Sequence, residues 1–203
     1  DNKDNAYVEF NLSDYDKKDS ELIYYSSVEE AILNSPLNAE NEEFSVPEDF
    51  LNHVDEILHI WNGKQYDTIF YRAGSDNDPV QGFVMARCKK QVDEASVQYA
   101  FMNATPVTTK ADSILISDIT ELIHSSLKLS DFQQDLNPNY PDTRFVFGYA
   151  HDKEIYSLEV EGQKPDGVIE INVYDRTMYL WYYDDLKSDK RGNNLSYSVD
   201  MPE

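Results

Sequence analysis

Between Val54 and Met102 apolar positions recur at every second residue, in runs of strand length separated by turn residues. Ile57–Trp61 and Tyr66–Tyr71 flank Asn62-Gly63, a dipeptide suited to a tight hairpin turn. The stretch Gly74-Ser75-Asp76-Asn77-Asp78-Pro79 reads as the next turn and leads into a strand from Gln81 to Lys89. Ser96–Met102 alternates again and pairs back on it. A four-stranded meander is therefore expected over about 54–103.

A second β block is expected over about 143–200. From Arg144 to His151, Phe145, Phe147, Tyr149 and His151 fall on one face, and Val146, Gly148 and Ala150 on the other. The small face predicts close approach by a helix or a second sheet, while the aromatic face fills a deeper layer. Asp152-Lys153 reads as a turn and Ile155–Val160 as a strand. Val168–Val173 and Met178–Tyr183 read as a hairpin, and Leu195–Val199 as a last strand.

Helical spacing occurs in two places. Ser27 and Glu30 have the spacing of a capping box, Val28, Ala31 and Ile32 share a face, and Asn34-Ser35-Pro36 stops the run, which predicts a helix over about 27–34. Asp118 and Glu121 open a second helix, about 118–129, with the stripe Ile119, Leu122, Ile123 and Leu127. Residues 5–12 and Ser113–Ile116 add two further expected strands. The fold class is α+β, mainly antiparallel β: two β-meanders and two short helices. The meanders show no residue-by-residue repeat, so residues 1–203 read as a single domain, with 1–20 a flexible N-terminal segment and 35–49 an acidic loop.

Composition narrows the functions. The 203 residues carry 39 Asp and Glu against 17 Lys and Arg, a formal net charge of -22. Nucleic acid is not expected as a partner, because phosphate contacts need clustered Lys and Arg, and an anionic membrane is opposed for the same reason. A hydrophobic content of 40% and an aromatic content of 13% supply core material and argue against disorder. No apolar run reaches 18 residues, so no direct membrane insertion of this segment is expected. The start, rich in Asp, Asn and Lys and without Met, has the look of a tether left by removal of a signal or lipid-anchor segment.

The common catalytic and nucleotide motifs, from phosphate-binding glycine loops to H-E-x-x-H, do not occur. Cys88 is the one cysteine, which rules out an intrachain disulfide and reads as a small core hydrophobe, with a reactive thiol as the competing reading. His53 and His59 lie six apart with no third ligand nearby, and His124 falls off its helix's apolar stripe. His151-Asp152 has acid–base chemistry, but strand neighbours point to opposite faces, so a turn that caps its own backbone is expected instead. Asp76 with Asp78, and Asp184 with Asp185 and Asp189, have the oxygens for Ca²⁺ without a calcium-loop spacing. No metal, cofactor or catalytic residue is assigned. The distinctive run is Met178–Tyr183, in which Tyr179, Trp181 and Tyr183 share a face. That face would stack on a sugar or a partner protein, or else pack inside against Phe145, Phe147 and Tyr149.

Several strand segments carry a likeness. Tyr66-Asp-Thr-Ile-Phe-Tyr71, Gln81-Gly-Phe-Val-Met-Ala-Arg87, Phe147-Gly-Tyr-Ala-His-Asp-Lys-Glu-Ile155, Leu158-Glu-Val-Glu-Gly162 and Trp181-Tyr182, with Glu29-Glu30-Ala31-Ile32, span about two thirds of the chain. Their pattern resembles a group of small exported proteins and lipoproteins of Gram-positive bacteria. The resemblance implies an exported, envelope-associated, non-enzymatic protein, and it carries over no catalytic residue. The chain is accordingly read as a binding or surface module outside the cytoplasm, with a protein or carbohydrate as its partner. The competing expectations are an acidic inhibitor or immunity-type protein that neutralises a basic partner, and a hydrolase with a carboxylate site that sequence does not flag.

Overall fold

A computed structural model describes residues 19–35, 52–74, 82–108, 118–135, 144–173 and 176–201. The strands expected over 5–12 and Ser113–Ile116, and all of the acidic loop but Ser35, lie outside the described residues. Among those described, the architecture is α+β with mainly antiparallel sheet.

The first meander forms. β2 (Val54–Asn62), β3 (Tyr66–Ala73), β4 (Gly82–Val92) and β5 (Val97–Thr108) pair in succession, and a two-residue β1 (Tyr24–Tyr25) adds to the β5 edge. The Gly63 amide donates to the Tyr66 carbonyl at 2.9 Å, so the β2–β3 tip is Lys64-Gln65, one step beyond Asn62-Gly63. Alternation then divides the side chains. Ile69, Tyr71 and Ala73 on β3, with Val84, Ala86 and Cys88 on β4, bury beneath Val28, Ala31 and Ile32 of α1 (Val28–Asn34). Trp61, Phe70, Phe83 and Met85 are buried on the opposite face.

The caps of α1 are side-chain made. The Ser27 hydroxyl accepts the Glu30 amide at 3.1 Å, while the Glu30 carboxylate reaches back to the Ser26 amide and hydroxyl rather than to Ser27. At the other end Asn52 donates to the carbonyls of Ile32 and Ser35, at 2.7 and 2.9 Å, which a seven-residue helix would otherwise leave open.

The second block is a sheet but not a meander. Its order is β6 (Val146–Ala150), β9 (Arg176–Tyr183), β8 (Gly167–Val173), with β9 antiparallel to both neighbours. β6 and β8 thus run parallel, which requires a crossover longer than a hairpin loop. Residues 151–166 supply it, and this corrects the strand expected over Ile155–Val160. The Asp152 carbonyl accepts the Ile155 amide, 153–157 coil into a 3-10 turn, and only β7 (Glu159–Val160) stays extended, paired with β10 (Tyr197–Ser198). Beyond β7 the chain reverses at Glu161-Gly162, both with positive φ (51° and 71°), while Val160 and Gln163 exchange two backbone hydrogen bonds. That is the geometry of a two-residue type I′ turn, which explains the left-handed glutamate.

α2 runs Ile119–Asp135, six residues past the expected end near Leu129. Its last turns are held from outside. The Ser130 hydroxyl donates to the Ser126 carbonyl at 2.8 Å and accepts the Phe147 amide at 3.1 Å, and the Asp131 carboxylate takes an Arg144 guanidinium N–H at 2.6 Å and the Gly192 amide. Ile119, Ile123 and Leu127 pack on Val146, Ala150, Trp181 and Tyr183, the outer face of the second sheet.

The inner faces of the two sheets share one cluster: Trp61, Phe70, Phe83 and Met85 against Phe145, Phe147, Ile171, Met178 and Leu180. The order of layers is α1, five-stranded sheet, three-stranded sheet, α2. Gly148 sets the spacing of the last two. A Cβ there would lie 2.3 Å from Trp181 Cζ2 and 2.5 Å from Ser126 Oγ, closer than any packed core allows. The small face of β6 thus admits both the indole and the helix. Gly148→Ala is expected to cost about 3 kcal/mol, at the upper end of overpacking penalties; a urea midpoint equal to that of the parent protein would rule the contact out.

Candidate functional site

The chemistry-bearing residues that the fold brings together lie where β2, the edge strand of the large sheet, meets the end of β9. The β2–β3 register shifts between Ile57 and His59, and such an irregularity re-aims the side chains that follow it. The His59 imidazole stacks on Tyr182, with ring centroids 3.9 Å apart and planes at 22°, and meets Trp61 edge-on at 4.8 Å. His59 Nε2 lies 2.7 Å from Asp184 Oδ1, and the Asp184 amide donates to Asp166 Oδ2 at 2.7 Å. Burial, then the charges of Asp184 and Asp166, push the Tyr182 hydroxyl above its ordinary pKa. Behind the imidazole, Trp61 stacks on Phe145 at 5.0 Å.

A His–Asp couple can orient an imidazole and hold its tautomer, which is half of a general-base arrangement. The other half is a nucleophile. Cys88, the strongest one by type, is fully buried on the opposite face of the sheet, under α1. Burial, then the charges of Asp67 and Glu29, push its thiol up to about 12, so it stays protonated at neutral pH. The core-hydrophobe reading of Cys88 stands. The His59–Asp184 contact instead ties one sheet to the other, with the ring as spacer between Tyr182 and Trp61.

The remaining sequence candidates separate. His53 is exposed, while His124 on α2 and His151 at the end of β6 are half-buried. Asp152 precedes the 3-10 turn but makes no side-chain cap bond, against the expectation of a self-capping turn. Asp185 pairs with Lys187 and accepts the Arg144 amide, Asp184 goes to His59, and Asp189 is exposed, so the three do not act together. Asp76 and Asp78 lie outside the described residues. Among the described residues no three His, Cys, Asp or Glu side chains converge on a metal-sized site.

The binding face expected of Tyr179, Trp181 and Tyr183 is corrected. β9 is the central strand of its sheet, so α2 and the crossover cover that face. Trp181 is fully buried, and Tyr183 is 2% exposed. The Tyr183 hydroxyl accepts the Val160 amide at 3.1 Å and donates to the Gln163 carbonyl at 2.7 Å, pinning the turn at Glu161-Gly162. Half-buried Tyr179 meets Tyr156 edge-on at 5.6 Å. Their neighbours across the strand are Val146, Gly148 and Ala150; Phe145 and Phe147 lie on the other side of the sheet with Leu180 and Tyr182.

One surface feature has no counterpart in the sequence expectations. The β4–β5 hairpin was expected to stop at Lys89 and resume at Ser96, yet its ladder continues through Lys90↔Tyr99, Gln91↔Gln98 and Val92↔Val97. β3 ends opposite Lys89, so the tip stands clear of the sheet, with Val92 at 64% and Val97 at 38% exposure. The signal was the valine pair flanking Asp93-Glu94-Ala95-Ser96, a four-residue reversal in which Asp93 and Ser96 exchange backbone bonds. No protein-family model, curated protein or solved structure matches the chain.

Two measurements check these assignments. A double-mutant cycle of His59→Gln with Asp184→Asn is expected to give a coupling of about 0.5–1 kcal/mol, as for a partly exposed pair, and additive costs would show that the contact contributes nothing. The Cys88 thiol should react with Ellman's reagent only as the native fold opens. Its raised pKa also gives stability that is complete below the ordinary value of 9.0 and is lost as pH rises towards about 12. Urea midpoints at pH 8 and 10.5 should therefore differ less in Cys88→Ala than in the parent; an equal or larger difference would contradict the burial of the thiol.

Proposed function

We propose that the chain is a non-enzymatic binding module that works outside the cytoplasm, at the cell envelope. The observation that carries the binding half is the projecting hairpin, whose cross-strand pair Val92 and Val97 is exposed to 64% and 38% beyond the last strand beside it. Two carboxylates of the interior, by contrast, are committed to structure. Asp67 is 2% exposed and pairs with Lys90 Nζ at 2.8 Å, and Asp131 is held by Arg144 and the Gly192 amide.

The hydrolase reading finds less support. A general acid needs a carboxyl with a raised pKa. Glu161 is held below the ordinary range by the Ser196 hydroxyl, against partial desolvation, with help from Ser188 and Lys190. Asp185 is partly desolvated, but the Lys187 ammonium and the Arg144 amide outweigh that and lower it as well. Both are displaced in the wrong direction for proton donation.

The extracytoplasmic half rests on the likeness to small exported proteins and lipoproteins. Among the described residues no helix is long and apolar enough to cross a membrane. In the source cells, the tagged full-length product should be shaved by protease added outside, and amine-reactive cross-linking of intact cells should move it into a discrete larger species. Co-fractionation with cytosolic markers would sink the location, and a species that stays at monomer size under cross-linking would sink the binding role.

A further inference from the structure

The β4–β5 hairpin outruns every strand beside it. On the β4 side the last rung shared with β3 is Tyr66↔Lys89; on the β5 side β1 covers Ala100 and Tyr99 alone. The rungs Gln91↔Gln98 and Val92↔Val97 therefore have no neighbouring strand among the described residues, and all of 91–98 is exposed. An unsupported two-stranded ribbon is marginal in water. Its β-branched cross-strand pair stiffens it but leaves Val92 largely, and Val97 partly, in solvent.

The row on which the valines sit identifies the face. Cys88↔Phe101, Lys90↔Tyr99 and Val92↔Val97 are successive rungs of one face, apolar under α1 and apolar again at the tip. Lys90 interrupts the row, but its ammonium is neutralised by Asp67 at 2.8 Å. Beyond the valines stand Asp93 and Glu94, both exposed, on a chain of net charge -22. That combination selects the occupant. A second copy would bring two such tips and two strongly negative chains together, which Coulomb repulsion opposes. A basic surface meets no such cost.

We infer that the β4–β5 tip is a docking arm for a basic protein: Val92 and Val97 enter a shallow apolar pocket, and Asp93 and Glu94 meet Lys or Arg at its rim. The inference rests on the binding-module reading and adds to it the surface and the partner's chemistry. Apolar anchors surrounded by complementary charge are the usual anatomy of such a contact, with the charges setting association rate and salt dependence.

The test places a photo-cross-linking residue at Gln91, beside the valines on the opposite face of the ribbon, and separately at Leu33, which is 65% exposed on α1. Both full-length proteins are expressed in the source cells, and adducts are sequenced by mass spectrometry. The expected result is an adduct from position 91 with a protein of net positive charge. It should fall about tenfold or more with Val92→Thr and Val97→Thr together, which keep the β-branched shape and replace one methyl of each valine with a hydroxyl that a dry pocket must desolvate. In permeabilised cells it should also fall as salt is raised, and fall less steeply with salt once Asp93→Asn and Glu94→Gln remove the charge.

An adduct from position 33 alone overturns the docking arm and leaves the binding module standing. An adduct between two copies of this chain replaces the basic partner with self-association, and an acidic partner, or yields unmoved by the valine changes, overturns the inference as stated. No adduct from either position sinks the inference together with the reading beneath it.

Discussion

Two sheets face each other across a layer of aromatic rings, and most of the structure follows from that contact. Phe70, Phe83, Phe145 and Phe147 are each buried to 1% exposure or less, and Trp61 lies across Phe145, Phe147 and Phe70. Each such ring removes a large apolar area from water, worth about 2–3 kcal/mol, and truncation to alanine costs about 3–5 kcal/mol. Once the inner faces are spent on each other, the outer faces of β3, β4, β6 and β9 still carry Ile69, Val84, Val146 and Trp181, so each sheet needs a cover. α1 and α2 supply the covers, and the four layers result.

The same layering sorts the polar groups. Polar contacts occur at the ends and seams of the layers, where a partner from another element is within reach: buried Asp67 with Lys90, buried Asp131 with Arg144, and the more open His59 with Asp184. Removing one partner of the first two would leave an uncompensated charge, which is far costlier than losing the pair's own attraction. His59 is the more exposed case and contributes mainly orientation, because its ring is already clamped between Tyr182 and Trp61.

The strand segments around Tyr66–Tyr71, Phe83–Arg87 and Phe147–Ile155 supply much of this packing. Ile69, Phe70, Tyr71, Phe83, Ala86, Phe147, Ala150, Ile155 and Trp181 are all buried, and Gly148 is where the Trp181 indole and α2 close on the sheet. These are the residues on which packing density places the strictest demands. The exposed Val92–Val97 tip lies outside those segments.

What the sequence determined by itself is local. Alternation placed β2 to β5 in order, because successive hairpins need only short turns, and it identified the small face of β6 that lets α2 approach. Ser27 and Glu30 marked the start of α1 through bonds within one turn. Period-2 alternation shows which residues share a face, but not what covers that face. Tyr179, Trp181 and Tyr183 therefore read as an exposed stacking surface or a packed one, and only the docking of α2 and the crossover on that face decided for packing. The order β6-β9-β8, the extension of α2 to Asp135 and the meeting of His59 with Asp184, 125 residues apart, likewise rest on contacts between distant segments. No local pattern encodes such contacts, because their free energy exists only once both partners are in place.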